Sequence, residues 1–129
     1  MATDCNYCVI LGYDLTEYKD IIIGDYWNNL DDDLEELFEK WVSGSDEKNL
    51  LFQDYYRNKY LYFGNILSKN CIFETMESKK ISMGRLLTLE STLREKFIEF
   101  LKDIDIPIGE LYYELISLPK QIIIFEEQL

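Results

Sequence analysis

Apolar positions recur along this chain with two periods, one of two residues and one near three and a half. Residues 7–13 (Tyr-Cys-Val-Ile-Leu-Gly-Tyr) are aromatic and β-branched and run up to Asp14, which predicts a first strand. Residues 17–23 read as a short helical turn closed by Gly24. Leu30, Leu34, Leu37, Phe38 and Trp41 then fall at i, i+4, i+7, i+8 and i+11, one apolar stripe of a helix over 30–41. Asn29 suits its N-cap, Asp31, Asp32 and Asp33 its first turn, Lys40 its last turn, and Ser43-Gly44 its end.

Two strands are predicted next, at 50–55 and 59–67, joined by a tight Tyr-Arg-Asn connection. In the second, Leu61, Phe63 and Leu67 share one face while Tyr60, Tyr62 and Ile66 share the other. A further extended stretch is predicted at 71–75. A long helix follows over 86–104, with Leu86, Leu89, Leu93, Phe97, Phe100, Leu101 and Ile104 on one side. Pro107 is placed to open a short helix at 108–116, and 121–125 reads as a terminal strand. The order β-α-β-β-α-β predicts an α+β fold. An antiparallel sheet of about four strands would carry its helices on one face, as in the ferredoxin-like, split β-α-β arrangement. A length of 129 residues fits one domain, 1–129.

Charge changes this picture more than composition does. Residues 1–54 hold 14 Asp/Glu against 3 Lys/Arg, residues 55–102 hold 5 against 9, and residues 103–129 hold 6 against 1. The net charge is −12. Such asymmetry governs the choice of partner rather than the fold. No apolar run approaches the roughly 20 residues of a membrane span, and the N-terminal Met1-Ala2-Thr3-Asp4 lacks the basic region and apolar core of a signal peptide. A cytoplasmic protein with no membrane partner is expected.

Catalytic chemistry finds little support. Histidine is absent, which removes the commonest general base and the commonest zinc ligand together. Cys5-Asn6-Tyr7-Cys8 is a lone Cys-x-x-Cys with only Cys71 as a further sulfur, and it leads into a strand rather than a helix N-terminus. No cofactor or metal is expected, and the cysteines read as small apolar residues. Asp54, Glu77 and Lys79 could form a metal-dependent nuclease only at an arbitrary spacing. Asp25, Asp31, Asp32 and Asp33 lack the alternation and glycine of a calcium loop. Lys59, Tyr60 and Tyr62, with Arg57 nearby, resemble the stacking platform of RNA-recognition modules, but depart from it in glycine and aromatic spacing. A chain of −12 also repels phosphate, so direct nucleic-acid binding is not expected. The alternative for these tyrosines is a packed strand whose second face, with Tyr7 or Tyr13, is partly open to a protein partner.

The acidic helix is the strongest candidate for function. Asp31, Asp32, Asp33, Glu35, Glu36 and Glu39 lie opposite its apolar stripe, and Asp14, Glu17, Asp20 and Asp25 add to the same field. Helix-dipole stabilisation accounts for the first three but not for the rest. Small size, acidity, absence of histidine and a bias toward Ile, Lys, Asn and Tyr resemble small phage-encoded anti-defence proteins, anti-CRISPR proteins and other DNA mimics among them. That resemblance implies a non-enzymatic inhibitor whose carboxylates pair with Lys/Arg of a basic nuclease or other nucleic-acid-binding protein. Tyr26, Trp27, Tyr60 and Tyr62 would supply desolvated anchors. The alternative is a homo-oligomer, a homodimer for example, in which the basic middle (Arg57, Lys59, Lys69, Lys79, Lys80, Arg85) docks on the acidic half of a second copy.

Overall fold

The computed structural model describes residues 5–27, 40–41, 49–53, 59–71 and 80–128. Four strands, β1 (Cys5–Asp14), β2 (Asn49–Gln53), β3 (Leu61–Cys71) and β4 (Gln121–Gln128), form one sheet in the order β2-β3-β1-β4. Every neighbouring pair is antiparallel. β3 therefore lies between the co-directional β1 and β2, and β1 between the co-directional β3 and β4. This is the interleaving of a split β-α-β unit, used twice. The α+β class holds, with the described helices on one sheet face.

The elements along the chain depart in detail from the simple six-element string. The first crossover begins with a 3-10 turn (Thr16–Tyr18), a single α turn α1 (Lys19–Ile21) and a π-helical segment (Ile22–Trp27). Of the helix expected over 30–41, only Lys40 and Trp41 fall within the described residues, and residues 72–75 of the expected 71–75 stretch lie outside them. The long helix α2 runs Met83–Asp103, started by Ser82, whose hydroxyl accepts from the Arg85 amide at 3.1 Å. Its end is a Schellman turn. The Ile106 amide donates to the Leu101 carbonyl and the Asp105 amide to that of Lys102, with Asp105 at φ 58°. Pro107 thus follows the close of α2 rather than opening the next helix, which begins at Glu110 as α3 (Glu110–Ile116). None of the described helices is long and apolar enough to cross a membrane.

The main core lies between the sheet and α2. Leu11, Tyr13, Leu51, Leu61, Phe63 and Leu67 from the strands meet Leu93, Phe97, Phe100, Leu101 and Ile104 from the helix. Tyr13 stacks on Phe97 at 4.2 Å and Phe63 on Phe100 at 5.0 Å. Trp41 is buried against both Phe63 and Phe100. Its indole N–H donates to Asp103 at 2.9 Å, and Lys40 reaches both Asp103 and Glu99 at 3.0 Å. That clamp fixes the end of the first crossover to the last turn of α2.

The opposite face closes by a different device. Cys8, Ile10, Phe52 and Phe125 are buried there, with Tyr60, Tyr62, Ile66 and Ile123 packed around them and no described helix above. By register, Phe125 faces Cys8 while Tyr62 faces Asp14, six positions further along β1. In a flat sheet that separation is roughly 20 Å, yet the two rings lie 5.2 Å apart. The sheet must curl strongly toward this face. Gly12 and Gly64, cross-strand partners, sit at the bend. A Cβ on Gly12 would meet the Phe63 carbonyl oxygen and one on Gly64 that of Leu11, each at 2.4 Å. Glycine pairs and bulges are how sheets bend, and β3 supplies a bulge as well, where Leu67 is skipped between Ile66 and Ser68. Curling carries β4 away from the helix layer, so Ile122 and Ile124 on its helix-side face remain 58% and 70% exposed.

Candidate functional site

The acidic stripe Asp31, Asp32, Asp33, Glu35, Glu36 and Glu39 lies outside the described residues, as do Asp54, Arg57, Glu77 and Lys79. Trp27 ends the π-helical segment, and Tyr26 is half-buried against the main core. Tyr60 and Tyr62 stack on each other at 4.8 Å with planes 7° apart, and Phe125 lies against both. They are half-buried in the curled face. Burial first, then the charge of Asp14, raises the Tyr62 hydroxyl above the ordinary phenol value.

Tyr13 does not join them. It lies on the opposite face, 1% exposed under Phe97, and Tyr7 shares that opposite face of β1. Both faces of β1 are apolar, so its sequence carries no signal for which side Tyr13 takes. Cys8 is fully buried. Among the described residues no three His, Cys, Asp or Glu side chains converge on a position for a metal ion.

Two of the acids outside the expected helix, Asp14 and Glu17, lie together at one end of the sheet. Asp14 ends β1, and its carboxylate accepts from the amide and hydroxyl of Thr16, which turns the chain sharply. That turn starts the 3-10 segment carrying Glu17 and Tyr18. The Tyr18 hydroxyl donates to Glu114 of α3 at 3.3 Å. Burial, then the negative charge of Glu114 and its hydrogen bond, then Glu17, raise that hydroxyl's pKa. Asp14, Glu17 and Tyr18 line a shallow cleft of about 170 Å³ with Leu118, Pro119 and Gln121. No ion pair joins Asp14, Glu17 or Glu114 to a basic side chain among the described residues.

The acids of α2 behave differently. Glu99 and Asp103 hold Lys40, Glu99 also holds Lys96, and Glu90 holds Lys120 at 3.4 Å. Hydrogen bonding to Lys40 above all lowers the Glu99 pKa from its ordinary value, and hydrogen bonds to Asp103 and Glu99 raise that of Lys40. Sequence reasoning named Asp14 and Glu17 as part of an acidic field but missed Glu114, which is about a hundred residues away along the chain. No family model matches this chain, and no curated protein or solved structure matches it.

Proposed function

We propose that this chain is a small acidic interaction protein that binds a basic, nucleic-acid-handling protein such as a nuclease, in the manner of a phage-type inhibitor that imitates nucleic-acid charge. The observation that carries the reading is the Asp14, Glu17 and Glu114 group, three carboxylates from separate elements that make no ion pair among the described residues. Like charges held together lower stability unless something outside the molecule compensates. Arginine-rich surfaces supply that compensation through bidentate pairing with carboxylates. The acids of the 31–39 segment extend the same field in sequence.

The test is capture from a host lysate at low and high salt, with three baits: wild type, Asp14→Asn/Glu17→Gln/Glu114→Gln, and Asp32→Asn/Glu35→Gln/Glu36→Gln/Glu39→Gln. A basic nucleic-acid-binding protein should be retained by wild type at low salt, released by duplex DNA, and lost by at least one neutralised bait. Identical partner sets for all three baits would remove the acidic surface from the account.

A further inference from the structure

We infer that β4 is a self-recognition edge, at which two copies of this chain join their sheets into one antiparallel sheet across a two-fold axis at Ile123. Among the described residues β4 has a neighbour on one side only, β1, so its other side presents unpaired backbone donors and acceptors. The strand is eight residues long, and its helix-side face carries the two bare isoleucines, Ile122 and Ile124.

The sequence of this edge is complementary to itself. The helix-side face of the strand reads Ile122, Ile124, Glu126, and Lys120, one residue before the strand, lies toward the same side, where it reaches Glu90 of α2. An antiparallel two-fold pairing keeps faces matched only when its centre falls on a residue rather than between two. Centred on Ile123, Lys120 opposes Glu126 of the second copy at both ends, and Ile122 opposes Ile124 twice. Centred on Ile124, Ile122 would oppose Glu126. Centred on Ile122, Lys120 would oppose Ile124. One register alone satisfies both the charges and the apolar side chains.

The same register continues the existing rows of the sheet. Val9 pairs with Ile124 and Leu11 with Ile122 within one copy. Each apolar row therefore runs across the junction from β1 of one copy to β1 of the other. Lys120 is already steadied at the start of β4 by Glu90. Glu126 is exposed at the other end, next to Tyr7 in register. The inference does not depend on the acidic surface finding a partner, and the tests of the two are separate.

Sedimentation equilibrium of the full chain from micromolar to hundreds of micromolar tests it. Wild type should show a reversible monomer–dimer equilibrium, and Ile124→Lys, at a site already exposed, should remain monomeric with an unchanged circular dichroism spectrum. Lys120→Glu and Glu126→Lys should each weaken the dimer roughly tenfold, since each converts two attractive cross-strand pairs into repulsive ones. The double variant Lys120→Glu/Glu126→Lys, carrying Glu90→Lys as well so that position 120 keeps an opposite charge on α2, should recover wild-type affinity. The two positions are too far apart within one copy to compensate each other, so recovery is specific to pairing between copies. A wild type monomeric throughout, a dimer indifferent to these changes, a double variant no better than the singles, or a dimer lost only on altering Tyr60 and Tyr62 would overturn the inference.

Discussion

The two faces of this sheet bury apolar side chains to a similar depth by unlike means. On one face, Leu61 and Phe63 are covered by Phe97 and Phe100 of α2, so burial depends on a separate element delivering its own side chains. On the other, Cys8 and Ile10 reach the same exposure under rings that belong to the sheet itself, because the strands bend until Phe125 meets Phe52, Tyr60 and Tyr62. The first face places its requirement on side-chain volume. The second places it on the backbone, at two positions where no side chain fits.

That contrast can be broken in graded ways. Phe97→Ala should have the largest effect, about 4 kcal/mol of unfolding free energy by denaturant titration, because it empties the centre of the helix-covered face. Gly64→Ala should follow at about 3 kcal/mol, since the new methyl group would press on the Leu11 carbonyl and the Gly12 Cα. A loss below about 1 kcal/mol there, near the typical cost of an unremarkable substitution, would mean that the curl does not need a bare backbone. Phe125→Ala should cost about 2 kcal/mol, the low end for a large-to-small change, because its site lies in the smaller cluster and can relax.

The smallest effect should come from the Lys40 clamp, which ties the crossover to the helix-covered face. Glu99 titrates below its ordinary 4.5 when folded. Its contribution is therefore present above that value and fades as pH falls through the lower, folded value. The stability difference between wild type and Lys40→Gln should accordingly shrink as pH drops below 4.5. Exposure of both partners keeps that difference modest at any pH.

Much of the helix-covered face was legible in the sequence. The spacing of Leu86, Leu89, Leu93, Phe97, Phe100, Leu101 and Ile104 marks one side of a helix; the last five are buried, and Leu86 and Leu89 are partly buried against the same core. Leu61, Phe63 and Leu67 alternate against Tyr60, Tyr62 and Ile66 as a strand requires, and the two sets occupy separate clusters. Trp41, the last member of the 30–41 stripe, is buried against α2.

What stayed hidden depended on residues far apart in sequence. The bend needs Gly12 beside Gly64, and neither glycine announces the other. Tyr13 could not be assigned a side because Cys8 and Ile10 are as apolar as Val9 and Leu11. Pro107 fits a first helical turn and the sequel to a Schellman turn equally well, and the turn geometry at Asp105 decides for the second. The candidate site divides the same way. Asp14 and Glu17 were readable as local charge, whereas Glu114 joins them only once α3 has packed.

The bare isoleucines of β4 give the chain's negative charge a bearing on colloidal stability. An edge this apolar invites successive copies to add on, and β2 leaves another edge at the far side of the described sheet. Mutual repulsion between molecules of −12 holds such stacking in check at neutral pH. Acidification toward the isoelectric point near 4.3 withdraws that protection. Under those conditions the exposed apolar edge of β4 is expected to favour aggregation, read as turbidity rising as pH falls toward that point.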